Sequence, residues 1–175
     1  MTASAFGTFS VHPAARKARF WILVVTFSLL AALPLIWVGS HYRVGISAES
    51  EQSIGSAWTL VRLDRAAPPV GSYGVFRIDD RVGHGFLPGT WFVKLVVGRP
   101  GDLVQVRKDA TLVNGVVVAG PLDSIHPIDA PDRFVRTFVL EPGDYFVVGT
   151  KPHSLDSRYW GPVHRDQFRG RARLL

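Results

Sequence analysis

The 175-residue chain contains no cysteine. Disulfides, thiolate nucleophiles and cysteine-based metal sites are therefore excluded, and an exported domain built from this chain must rest on its core alone. Charge is also scarce: 19% of residues are charged and 47% are hydrophobic. That is apolar for a soluble domain, and much of the excess sits in one block. The net charge is +6, yet there is no dense basic run with interleaved aromatics, the pattern that marks a nucleic-acid surface. His41, His84, His126, His153 and His164 are scattered and form no His-Glu-x-x-His or other metal spacing. No metal and no cofactor is expected. Internal repeats, low-complexity tracts and long linkers are absent as well. What is abundant is turn formers, with 17 glycines and 12 prolines, as in a β-rich domain of many short strands.

The apolar block is Phe20 to Val38, FWILVVTFSLLAALPLIWV. It carries no charge and is about long enough to cross ~30 Å of hydrocarbon as a helix. Pro34 lies near its far end, and Trp21 and Trp37 sit near the two ends, as interfacial aromatics do. Arg16, Lys17 and Arg19 precede it, while only Arg43 follows closely. The positive-inside rule then predicts residues 1–19 as a cytoplasmic tail, 20–38 as the anchor and 39–175 as a domain on the outer, periplasmic face of the inner membrane. The rival reading is a cleaved signal peptide with Val38-Gly39-Ser40 as the cut site, but the apolar stretch exceeds the usual ~7–15 residues. Near the other end, Arg169, Arg171 and Arg173 have period two, which puts them on one strand face, suited to solvent or anionic lipid.

Beyond the anchor no helical period is sustained. Short β-type runs are predicted at Thr59–Leu63, Tyr73–Ile78, Trp91–Val97, Leu103–Val106, Thr111–Val113, Val116–Val118, Phe134–Leu140 and Tyr145–Val148, and Gln167–Leu174 is expected to close the sheet. Asn114-Gly115 is a strong two-residue hairpin signal, since both turn positions need positive φ. The spacing predicts a mainly β domain, a sandwich or partly closed barrel.

Within Trp91–Val97, alternation sends Phe92, Lys94 and Val96 to one face and Trp91, Val93, Leu95 and Val97 to the other. A lysine between apolar neighbours is costly to bury as an ammonium. Burial disfavours the charged form, and an uncharged amine can act as a general base. The plainer reading is an edge-strand lysine that discourages aggregation. A serine is the natural nucleophile for such a base. Ser47, Ser50, Ser53 and Ser56 all lie in the segment leaving the anchor, and composition does not choose among them. A third element is Ser154-Leu155-Asp156-Ser157-Arg158-Tyr159-Trp160-Gly161. By itself it reads as a turn braced by an Asp156–Arg158 ion pair, with Tyr159 and Trp160 packed beneath.

Taken in this order after one anchor, these elements resemble the type I signal peptidase (leader peptidase) family. Lys94-Leu95-Val96-Val97-Gly98-Arg99-Pro100-Gly101-Asp102 looks like its lysine box, and Ser154 to Gly161 looks like its final Ser-x-Asp-Ser-Arg-x-Trp-Gly box. Ser53-Ile54-Gly55-Ser56 sits where the family has Ser-Met-x-Pro. The resemblance implies a signal-peptidase-like β fold and a Ser–Lys dyad. Ser53 would attack the scissile carbonyl and neutral Lys94 would take its proton. Ser154 would orient the lysine, and Asp156 and Arg158 would hold its loop. The substrate would add as a β-strand between Glu51-Gln52 and the Lys94 strand, with Phe92 and Val93 lining small pockets.

Several positions depart from the family pattern. Ile54 replaces methionine and Ser56 replaces proline. Glu51 stands where a second oxyanion hydroxyl is frequent, and an ionised carboxylate cannot donate there. Gly149-Thr150-Lys151-Pro152-His153 replaces a Gly-Asp-Asn-Arg-type run. With the short exported domain, these features look more like the peptidases of conjugative transfer systems. The implied partners are precursor proteins with signal sequences, pilin or other conjugative-transfer components among them, and the lipid bilayer. A housekeeping signal peptidase and a catalytically silent assembly factor are the alternatives.

Overall fold

The computed structural model describes residues 13–46, 54–55, 58–82, 86–122, 131–151 and 154–175. The expectations placed on Ser47, Ser50, Glu51, Gln52, Ser53 and Ser56 lie outside these residues. The chain divides into two units, Met1–Ser40 and His41–Leu175.

In the first unit, a long apolar run behind a basic start, without an acidic residue, makes a 29-residue helix, α1 (Pro13–His41), with Pro34 inside it. The stretch Arg16–His41 has a mean hydropathy of 2.4 over its most apolar window, and none of that window is buried in the protein. At 1.5 Å per residue its 26 residues extend about 39 Å, enough by length and composition to cross ~30 Å of hydrocarbon.

In the second unit, the alternating runs form two antiparallel sheets. The larger has seven strands in the order β1 (Tyr42–Ile46), β2 (Trp58–Leu63), β11 (Phe168–Leu174), β3 (Tyr73–Arg77), β4 (Trp91–Gly98), β9 (Asp144–Val148) and β10 (Val163–His164). The smaller has four, in the order β7 (Val116–Ala119), β6 (Thr111–Val113), β5 (Leu103–Val106) and β8 (Arg136–Val139). A mainly β domain in two sheets is what the strand spacing predicts. The last strand forms within a residue of where it is expected, and it lies between β2 and β3, pairing with both. A register shift between Phe168 and Gly170 also interrupts the alternation at Arg169, so the strict period-two face holds only for Arg171 and Arg173.

β4 separates two apolar clusters. Val96 with Phe76, Val147, Val163 and Phe168 builds one. Leu95 and Val97 pack on the other, against Val104, Val106, Val113, Phe146 and Val148, where the second sheet covers the first. The hairpin between β6 and β7 turns at Asn114 (φ 50°) and Gly115 (φ 82°), as its sequence requires. The Asn114 amide donates to Asp102 Oδ1 at 2.9 Å, and Asp102 Oδ2 accepts from Arg99 N–H at 2.9 Å. One carboxylate thus ties the turn leaving β4 to the hairpin of the second sheet.

Candidate active site

β4 is an interior strand, with β3 on one side and β9 on the other, and Lys94 is 3% exposed. Its burial, rather than its pairing, overturns the reading of Lys94 as a solvated edge lysine. Its Nζ donates to Ser154 Oγ at 2.8 Å and lies 5.5 Å from the centre of the Phe92 ring. Phe92 shares the face of Lys94 and is held by edge contacts to Phe86 at 5.0 Å and Trp160 at 5.8 Å. Val93 points to the opposite face, so the two residues expected to line pockets flank different sides of the strand. Gly74 is directly opposite Lys94. A Cβ there would come within 2.6 Å of the Phe168 ring, so that ring fills the space over Gly74 beside the lysine.

Ser154 is carried by a loop whose shape is set by charge. Asp156 caps the one-turn helix α2 (Ser157–Trp160) and accepts from its Arg158 N–H. The Arg158 guanidinium meets the same carboxylate with Nε at 2.8 Å and Nη2 at 2.9 Å, a two-pronged pair. Asp156 is 0% and Arg158 5% exposed at the side chain. The remaining lone pairs and protons are used: Asp156 Oδ2 accepts from Gly149 N–H at 2.8 Å, and Arg158 donates to the Ser154 carbonyl at 3.2 Å and the Pro121 carbonyl at 3.2 Å. The pair thus grips both the end of β9 and the main chain of Ser154. Tyr159 packs on Phe134 and Trp160 on Phe92.

Two supports were not legible in the sequence. Ser157 Oγ accepts from Val147 N–H at 3.1 Å, stitching α2 to β9. Arg136 donates to the Ser157 carbonyl at 3.0 Å, and burial holds its guanidinium below the ordinary arginine value. An arginine in an alternating strand carries no signal that separates this role from a solvated face. Downstream of the proposed nucleophile, Ile54 is buried, and Lys151 Cε lies 3.4 Å from where a Gly55 Cβ would be.

The structure thus brings Lys94, Phe92, Ser154, Asp156 and Arg158 together, while Glu51, Gln52 and Ser53 lie outside the described residues. The arrangement offers a buried amine with one proton committed to a hydroxyl, on a strand whose ladder with β9 begins only at Leu95. Among the described residues, no strand pairs with Trp91 or Val93 on that side. The sequence profile described as signal peptidase, peptidase S26, matches residues 17–175.

The chain belongs to this family. The signal peptidase I V of Bacillus subtilis (strain 168) is 33% identical over 169 residues, 88% of this chain and 96% of that one. The plasmid transfer protein TraF of Escherichia coli is 25% identical over 171 residues, 86% of this chain and 94% of that one. A signal peptidase I crystal structure from Enterococcus faecalis V583 covers 62% of this chain and 97% of its own at 24% identity, with a TM-score of 0.39. That superposition is too loose to add to the fold described above. As a signal peptidase family member the chain is a serine-type peptidase that acts on precursor proteins with signal sequences, and the family is membrane-associated.

Proposed function

We propose that the chain is a membrane-anchored endopeptidase in which Ser53 is the nucleophile and Lys94 the general base. The observation that carries this reading is the buried Lys94 amine held 2.8 Å from Ser154 Oγ. A neutral amine that donates one N–H to that hydroxyl keeps its lone pair for another proton. As Ser53 Oγ attacks the scissile carbonyl, Lys94 takes the hydroxyl proton and then delivers it to the leaving amine. Lys94 then takes a proton from water as the water oxygen attacks the acyl carbon, and returns it to Ser53 Oγ as the bond to the acyl group breaks. The Ser53 N–H would donate to the oxyanion, a contact of the kind worth ~3–4 kcal/mol. The unpaired side of Trp91 and Val93 supports a substrate that adds as an extended strand, with Glu51 and Gln52 on its other side. The apolar α1 serves as the anchor, with the N-terminus in the cytoplasm and the domain on the outer face.

The first test is cleavage of a membrane-embedded precursor by purified wild-type, Ser53→Ala and Lys94→Ala proteins in detergent. Loss of a general base lowers the rate by about 10²–10⁴-fold. Cleavage retained by both variants would remove the dyad. A protonated amine has no lone pair, so the reading also requires activity to fall toward acidic pH; a flat acid limb would count against Lys94.

For the substrate, we propose one or a few exported components of a conjugative transfer system, pilin among them. Similarity to TraF along most of both chains supports this. The second reading, a signal peptidase of broad range, is supported by the higher identity to signal peptidase I V. Depletion separates them: one or two unprocessed precursors against a broad accumulation.

A further inference from the structure

We propose that Lys151 is a specificity-determining residue that selects an acidic side chain among the first residues of the mature chain, just past the cut. This rests on the endopeptidase reading above, with the leader residues extended along Trp91 and Val93. The ladder between β4 and β9 begins at the Leu95–Val148 pair. One step further in that antiparallel register, Gly149 would stand beside Lys94. It does not pair there: its N–H donates instead to Asp156 Oδ2 at 2.8 Å, and the chain turns away from β4. The loop that starts at Gly149 returns at Ser154, whose Oγ accepts from Lys94 Nζ at 2.8 Å. Both ends of the loop are therefore fixed at the lysine that marks the cut. From Leu95 onward β9 occupies the side of β4 on which the substrate strand would lie. A chain extended along Trp91 and Val93 cannot continue past Lys94 on that edge. It must leave beside Gly149, Thr150 and Lys151.

Lys151 is placed to meet the departing chain. Its Cε lies 3.4 Å from where a Gly55 Cβ would be, so its stem rests against the bare side of a glycine two residues beyond Ser53 in sequence. Gly55 has φ 83°, a conformation that favours glycine, and Ile54 before it is buried. The residues that follow the proposed nucleophile are thus anchored by Ile54 and touched by the lysine stem. Lys151 is exposed, and among the described residues no carboxylate pairs with its ammonium. Asp156, the carboxylate of the same loop, is committed to Arg158 and to Gly149 N–H. A lysine ammonium is a point charge on a flexible stem. It can follow a carboxylate at either of the first two mature positions and repel a cation there. Its solvent-exposed setting gives a bias of charge rather than a requirement for one residue type.

The test is a charge series run on the full chain in detergent. A model precursor carries Glu, Gln or Lys as the first residue after the cut, and a second set carries them as the second residue. The Gln precursor checks the endopeptidase reading separately: no cleavage of any precursor, or equal cleavage by Ser53→Ala, removes that reading and this proposal with it. With the reading intact, kcat/KM of the wild type should rank Glu above Gln above Lys at one or both positions, by roughly two- to fivefold per step, as for exposed charge pairs. Added salt should compress the range. Lys151→Gln should level the series and Lys151→Glu should invert it, with a melting curve confirming that each variant is folded. Equal cleavage of all three precursors by the wild type overturns the proposal. So does a Lys151→Glu protein that keeps the wild-type order. A Lys151→Gln protein that slows all three precursors by the same factor also overturns it, since the lysine would then serve the reaction and not the choice of mature chain.

Discussion

Two residues of one loop separate stability from chemistry. Asp156 is fully buried and neutralises Arg158. Removing one partner of a buried, hydrogen-bonded pair strands the other charge, at a cost of about 3–5 kcal/mol. Asp156→Ala should therefore shift the urea midpoint strongly, and an unchanged midpoint would mean that the pair contributes little. Ser154 contributes one hydroxyl to Lys94 Nζ. Ser154→Ala should leave the urea midpoint within about 1–2 kcal/mol of wild type, yet lower kcat about tenfold and displace the acid limb of the pH–rate profile, with partial rescue by Ser154→Thr. A purely structural serine would not move that limb. The Asp156–Arg158 pair was legible in the residues themselves, whereas Lys94 and Ser154 stood out only through the resemblance to the signal peptidase family, since a lysine in an apolar strand and a serine in a turn each have plainer readings. Their mutual distances were not legible, because 60 residues separate Lys94 from Ser154 and pairing between distant strands, β4 with β9, brings their segments together.

At the scale of elements, alternation located most strands to within a residue or two, since each is short and bounded by Pro, Gly, Asn or Asp. Among the described residues, two strands and the one-turn helix escaped it, as did the 3-10 turns at Pro131–Phe134 and Arg165–Gln167. β10 has two residues, α2 has four, and β1 directly follows the apolar helix, where a composition boundary masks alternation. Strand order escaped as well. Nothing local says that β11 belongs between β2 and β3, a pairing that joins the last residues of the chain to its first strands. Gly74 is intelligible only after this insertion, because the ring that crowds it belongs to Phe168 of β11. Gly74→Ala should displace that ring toward the Lys94 row and lower thermal stability, by a cost within the ~1–3 kcal/mol range of overpacking. Gly115→Ala, at φ 82°, should cost about 1 kcal/mol through backbone strain alone and leave cleavage unchanged. A cleavage defect in Gly115→Ala with normal melting would show that the hairpin has a role at the site.

The whole molecule joins two units, to which the proposed function gives different solvents. Asp79 is held below its ordinary value mainly by its side-chain bonds to Arg81, and Asp64 by Ala66 N–H and Arg171. Carboxyls lowered in the folded state add stability above the unfolded value of 3.8, and that stability is lost as pH falls below it. Solvent screens both, so these gains are small, and Asp79→Asn should flatten the acid limb of the melting curve slightly. The helix is a larger matter. Every residue of the two apolar clusters lies between Ala67 and Phe168, and no apolar window of α1 is buried in the protein. Residues 41–175 alone should therefore fold, with a cooperative melt close to that of the full chain. They should cleave a soluble leader peptide at a similar rate and a membrane-embedded precursor far more slowly, because anchoring both partners in one bilayer raises their effective concentration, by 10²–10⁴-fold for well-matched geometry. Comparing kcat/KM for the two substrates with and without α1 checks this. Equal loss on both would mean that the helix shapes the active site itself rather than delivering it to the bilayer.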